Sequence, residues 1–185
     1  IIMDGLRSDH LKAMTDQLSH IFHMSIDYYL SILPTATPYS RNAIFSGLFP
    51  SELQQKYSKI WQDMWKDESS MNRYENQFLK DQLDRMGFKS KSMQYHKVCT
   101  YEEGKKLEHR IREWKEVDFL ALVINFVDIL GHSRSESLIL QEMVPDESAY
   151  RQTICAWMEN SWLITVLKEI SHWGHTVFLT SDHGS

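Results

Sequence analysis

Two kinds of apolar patterning follow one another along the chain: short continuous runs and longer stretches with helical spacing. Ile1 to Met3 is an apolar run closed by Asp4-Gly5, the pattern of a buried strand followed by a turn. Ser8 reads as the cap of a helix over 9–19. Phe22, Met24 and Ile26 alternate with polar residues and predict a second strand, followed by a loop from Tyr28 to Thr37 that Pro34 interrupts. Pro38 suits the first turn of a helix ending near Gly47. Helical spacing returns over 51–64 and 72–86, with Gly87 as a stop. A weaker strand is predicted over 89–95 and a polar helix over 101–114. Phe119 to Val127, "FLALVINFV", is nearly all apolar, as expected of a parallel strand covered on both faces. A long helix over 148–173 and a last strand over 176–180 follow. The Trp-rich, charged stretch from Trp61 to Asn72 reads as an exposed insertion. Strands separated by helices predict an α/β fold, with a mostly parallel central sheet flanked by helices.

Composition narrows the function classes. The 185 residues make about one domain, long enough for a sizeable core. Twenty Lys and Arg against 25 Asp and Glu give a net charge of −5, which argues against a protein that coats nucleic acid. Cys99 and Cys155 form neither a metal pattern nor a disulfide framework, which suits a reducing, cytoplasmic compartment. No apolar run approaches membrane-spanning length, so no membrane insertion is expected. The chain opens on Ile1 and stops in a loop-like segment, as a piece of a longer protein would.

Three predicted strands are followed by an Asp: Asp4, Asp128 and Asp182. Ligand sites of open α/β sheets gather beyond the carboxyl ends of strands. One Asp there is weak evidence, because Asp is common in turns; three are not. Two of them carry a nearby histidine. In "VDILGH", Asp128 and His132 could converge on a metal ion, with Gly131 allowing a tight turn between them. In Asp182-His183-Gly184, the glycine allows the sharp bend that two adjacent ligands need. Asp, His and open positions suit zinc, with manganese as the usual substitute. The remaining histidines, His10 among them, read as surface or core residues. Thr37, before Pro38, stands where a helix start offers free N–H groups and the positive end of the dipole. A metal there would lower its hydroxyl pKa and make it a nucleophile. Thr35 looks similar, and spacing does not separate the two. Arg7 and Arg41 are candidates to neutralise a phosphate, with Asn125 as a further donor.

In order along the chain, these pieces resemble the alkaline phosphatase superfamily. They are an Asp after the first strand, Thr37 ten residues before Gly47-Leu48-Phe49-Pro50, Asp128 to His132, and Asp182 to Gly184. The Gly-Leu-Phe-Pro segment is similar to that of the superfamily's nucleotide phosphodiesterases. More narrowly, "DGLRSDH" and "ILPTATPYSRNAIFSGLFP" resemble the PglZ domain, most of all the one in PorX-type response regulators of Bacteroidetes. The resemblance implies one alkaline-phosphatase-like domain over 1–185, without that family's upstream receiver domain and truncated before its closing strands. It implies two zinc ions, one held by Asp4, Thr37, Asp182 and His183 and the other by Asp128 and His132. A further His of that second site would lie beyond Ser185.

The implied function is a zinc-dependent phosphoesterase with Thr37 as nucleophile, passing through a phospho-threonine. Phosphodiesters of nucleotides or oligonucleotides are favoured over monoesters, and Tyr39, Tyr95 and Tyr101 are the stacking candidates. A metal-dependent phosphomutase would share the same ligands. The resemblance further implies the effector role of a two-component response regulator in type IX secretion. Its partners would be a histidine kinase and secretion-system signalling proteins, and a homodimer is compatible with it. The rival reading is a signalling or protein-interaction output domain with structural zinc and no need of catalysis.

Overall fold

A computed structural model describes residues 1–67, 70–88 and 92–184. The strands are β1 (Ile2–Met3), β2 (Met93–Val98) and β3 (Phe119–Ile124). They form a parallel sheet in the order β1-β3-β2. Thr180 adds a parallel bridge to Ile2 on the far side of β1. The backbone there is tied by Thr180 N–H to Ile1 O and Met3 N–H to Thr180 O, both 2.9 Å. The predicted last strand therefore runs beside β1 but pairs regularly only at Thr180. The carboxyl ends of β1, β3 and this segment lie side by side, which brings Asp4, Asn125 and Asp182 to one edge.

Ten α-helices surround the sheet among the described residues: α1 (Ser8–Ser19), α2 (Thr37–Ser46), α3 (Pro50–Lys56), α4 (Ser58–Met64), α5 (Glu75–Arg85), α6 (Tyr101–Arg110), α7 (Phe126–Glu136), α8 (Leu138–Met143), α9 (Glu147–Asn160) and α10 (Trp162–Ser171). Successive strand residues point to opposite faces, and both faces are covered here. Met3, Leu122 and Ile124 pack into a core with α1, α6, α7, α9 and α10. Ile2, Ala121 and Val123 pack into a second core with α2 to α5. Two buried faces explain why β3 reads as a continuous apolar run. Among the described residues no helix is long and apolar enough to cross a membrane.

Four expectations change. Phe22 to Ile26 forms no strand; Phe22 leans on the larger core, while Met24 and Ile26 are 37 % and 36 % exposed. Alternation makes a strand only where an edge is available to pair with it. The long helix predicted over 148–173 divides at Ser161, whose extended backbone and side chain cap α10. The stretch from Trp61 to Asn72 is no exposed insertion: Met64 and Ser70 are buried, and Trp61 and Trp65 pack on the second core. Glu68 and Ser69 of that stretch, and positions 89–91 of the weaker strand predicted over 89–95, lie outside the described residues. Finally, β3 ends at Ile124, and Asp128 to His132 belong to α7 instead of a turn.

Candidate active site

Asp4 leaves β1 fully buried at 1 % exposure, with its backbone N–H held by Ile124 O at 2.9 Å. Asp182 follows the Thr180 bridge and is also 1 % exposed. Its Oδ1 accepts from the backbone N–H groups of Gly5, at 3.4 Å, and His183, at 3.1 Å. Its Oδ2 is buried with no hydrogen-bond partner among the described residues. His183 Nε2 stands 3.4 Å from Asp4 Oδ1 and 3.9 Å from Asp182 Oδ2. Donor atoms of Asp4, Asp182 and His183 all lie within 4.8 Å of one another.

Two carboxyl groups and an imidazole packed this closely, with one carboxyl oxygen orphaned, fit a divalent cation of the zinc or manganese kind. Without a cation the arrangement is electrostatically costly. Burial, then the negative charge of Asp4, pushes the Asp182 carboxyl up to about 8.

Thr37 joins this group through its hydroxyl. Its Oγ1 donates to Asp4 Oδ1 at 3.3 Å and lies 2.7 Å from His183 Nε2. Thr35, two residues away, is exposed in the preceding loop. Tertiary structure thus separates two threonines that spacing could not. Ala36, not Thr37, is the N-cap of α2, and Thr37 is its first residue. The amides of Tyr39 and Ser40 both donate to Ala36 O, at 3.0 and 2.9 Å, and Pro38 has none. The helix start therefore offers its dipole more than a cradle of free amides.

Asp128 and His132 sit one turn apart on α7, with His132 Nε2 3.5 Å from Asp128 Oδ1. The turn that Gly131 was expected to make is absent, and helical i, i+4 spacing brings the two together instead. Asp128 is close enough to Asp4 for the two charges to interact, and burial followed by that charge raises its carboxyl. Among the described residues no third histidine, cysteine or acidic donor joins this pair within the reach seen at Asp4. The side chain of His132 is 77 % exposed.

Both arginines are engaged by carboxylates. Arg41 is 1 % exposed, with Nη1 2.5 Å from Asp4 Oδ2 and Nε 2.5 Å from Glu75 Oε1. Burial alone would lower its pKa, but Glu75 and Asp4 outweigh that and raise it. Arg41 therefore stands between two buried carboxylates, with an ion pair on each side. Arg7 pairs with Asp9 at 2.8 Å and Glu147 at 2.5 Å. Its stem packs on Gly184, where an added Cβ would stand 3.1 Å from Arg7 Cγ. Asn125 occupies the N-cap position of α7 without a side-chain capping bond, and its Oδ1 is buried without a partner among the described residues.

Two clefts adjoin the site. One of about 300 Å³ is lined by Arg7, Asp128, His132, Arg134, Glu147 and Tyr150. The other, of about 500 Å³, runs from Ser40 and Asp182 along Tyr29, Leu30, Ile44 and Phe49. The expected stacking residues are placed otherwise: Tyr95 donates to Glu75, Tyr39 packs on Trp65, and Tyr101 opens α6. Tyr29, Phe49 and Tyr150 are the aromatic groups lining these two clefts, and no local sequence signal marked Tyr29 or Tyr150. Glu75 was missed for the same reason, because it opens a polar helix and looks like a surface residue.

A parallel sheet carrying a buried Asp, Asp, His group beside a hydroxyl at a helix start has the architecture of an alkaline-phosphatase-like domain. The chain belongs to the PglZ family: the family described as the BREX system PglZ alkaline phosphatase-like domain matches residues 1–185. No curated protein matches the chain.

Proposed function

We propose that the protein hydrolyses phosphodiesters, of nucleotide or oligonucleotide type, with Thr37 as the nucleophile. Asp4, Asp182 and His183 would hold one zinc ion, with manganese as substitute, and Asp128 and His132 would contribute to a second. The observation that carries this reading is the Thr37 hydroxyl, 2.7 Å from His183 and 3.3 Å from Asp4 inside the buried donor cluster. A bound metal supplies Lewis acidity, lowering the hydroxyl pKa and offsetting charge on the phosphoryl oxygens.

The protein's own groups supply the rest. Asp4 and the start of α2 hold Thr37 Oγ1 at the site. Its attack forms an O–P bond as the bond to the leaving alkoxide breaks; the hydroxyl proton passes to solvent, and the alkoxide takes a proton from solvent. Water then cleaves the phospho-threonine and restores the hydroxyl. The dipole of α2 favours the developing negative charge.

A diester is supported over a monoester by two features. Arg7 and Arg41 are both engaged by carboxylates, so neither stands ready for a dianion. Clefts also leave the site in two directions, giving room for two ester groups. The narrower placement, as effector of a response regulator in type IX secretion, is supported by the likeness of "DGLRSDH" and "ILPTATPYSRNAIFSGLFP" alone.

The test is turnover of bis(p-nitrophenyl) phosphate and p-nitrophenyl phosphate by the zinc- or manganese-loaded protein and its Thr37→Val variant. Diester turnover that falls to background in the variant is the expected result. Turnover retained by Thr37→Val would remove Thr37 as nucleophile. Metal binding without turnover of either ester would favour an output domain with structural zinc.

A further inference from the structure

Glu75 is the first residue of α5, a helix of polar composition, and it is completely buried. Three side chains converge on its carboxylate. Arg41 Nε donates to Oε1 at 2.5 Å and Asn72 Nδ2 to the same oxygen at 2.7 Å, while the Tyr95 hydroxyl donates to Oε2. Two of these partners lead directly into the site. Arg41 also holds Asp4 Oδ2 at 2.5 Å, so Asp4 is left with Oδ1 turned toward Thr37 and His183. Asn72 Nδ2 also reaches the backbone carbonyl of Thr37 at 3.4 Å.

We infer that Glu75 is the positioning residue of this centre, fixing a metal ligand through Arg41 and the nucleophile through Asn72. The inference rests on the reading of Asp4 as ligand and Thr37 as nucleophile. Its physical content is charge as well as geometry. Arg41 alone beside Asp4 would neutralise the carboxylate that a cation needs. Glu75 takes up that positive charge from the other side. When all four groups are ionised, Asp4, Asp182 and Glu75 against Arg41 leave two net negative charges, which match one divalent cation. Groups that orient metal ligands in this way typically change metal affinity or activity by about 10- to 100-fold when altered. Glu75 itself touches neither metal nor substrate.

Glu75→Gln isolates the charge. The amide keeps an acceptor for Arg41 and Asn72, and its NH₂ group faces the Tyr95 hydroxyl, which can accept. Zinc and manganese affinities are measured by competition with a chromophoric chelator, alongside the melting temperature of the metal-free protein. The expected result is a folded variant that binds either metal about 10- to 100-fold more weakly. At saturating metal, kcat on bis(p-nitrophenyl) phosphate should fall while KM stays within about twofold, since the substrate contacts are untouched. Asn72→Ala removes the link to Thr37 together with one of the hydrogen bonds to Glu75, leaving Arg41 between Glu75 and Asp4. It should lower kcat about tenfold and leave metal affinity within about threefold.

A folded Glu75→Gln variant with wild-type metal affinity would overturn the inference, as would an Asn72→Ala variant that loses affinity and keeps its kcat. Should Glu75→Gln fail to fold, Tyr95→Phe removes one hydrogen bond from Glu75 and should weaken metal binding in the same direction by a smaller factor. Unchanged affinity in that variant would then count against the inference. If the wild type turns over no ester at saturating metal, the phosphoesterase reading fails, and the metal titrations still decide the role of Glu75.

Discussion

Replacing Asp182 by asparagine measures the electrostatic cost of assembling the site. Asp182 is 1 % exposed, and burial together with the charge of Asp4 pushes its carboxyl from an ordinary 3.8 up to about 8. The unfolded chain releases this proton near pH 3.8, whereas the folded metal-free protein keeps it until about pH 8. Between those values the folded state binds more protons, so stability declines as the pH rises. The stabilising contribution is complete below the unfolded value and is lost as the pH passes through the folded one. At about 1.4 kcal/mol per pH unit, the whole interval amounts to roughly 6 kcal/mol, of which the part above pH 5 is roughly 4 kcal/mol. For a chain of this length each kcal/mol moves Tm by about 2–4 °C. Asparagine keeps the shape of the side chain and cannot ionise. In chelator, between pH 5 and pH 9, the Tm of Asp182→Asn should therefore gain on the wild type by about 10 °C. Added zinc or manganese should reverse the order at high pH, because binding to the folded state stabilises the wild type by mass action. A Tm difference that stays constant across this pH range would refute the argument.

Three further outcomes are expected. Arg41→Met leaves Asp4 and Glu75 buried without their shared cation and should cost about 3–5 kcal/mol in urea unfolding; a loss below about 1 kcal/mol would mean the two carboxyl groups find other partners. Gly104→Ala places a Cβ 2.0 Å from Trp162 Nε1, where α6 packs on α10. It should destabilise by about 1–3 kcal/mol or more, read by chemical denaturation, and full tolerance would contradict that close packing. Leu163→Ala empties a fully buried position of the larger core and should cost about 2–5 kcal/mol in the same assay.

Much of the scaffold was legible because the signals are local. The run from Phe119 to Ile124 announces a strand covered on both sides, and β3 has residues in both cores. Pro38 and Gly47 bracket α2, with Gly47 in the left-handed conformation at φ 61°. The Thr100 and Glu103 side chains close the start of α6 in a capping box. Local signals failed where the outcome depended on a distant partner. Phe22 to Ile26 has strand alternation but pairs with no strand among the described residues. The periodicity over 148–173 runs through Ser161, where the side chain's bond to the Leu163 amide starts a new helix. Trp61 and Trp65 look exposed among charges, yet their rings pack 5.6 Å apart beside the second core.

The sequence alone placed Asp4, Asp128 and Asp182 after apolar runs, set histidines near two of them, and put a hydroxyl at a helix start. Those are properties of residues and their immediate neighbours. Only the tertiary structure decided which of them meet. It joined Asp4, Thr37, Asp182 and His183, set Asp128 and His132 on a helix face, and turned Arg41 inward. The reason is that burying a charge depends on a counter-charge far along the chain. Arg41 stands 37 residues from Asp4 and 34 from Glu75. No local pattern records that three-way contact, in which one buried cation faces both carboxylates.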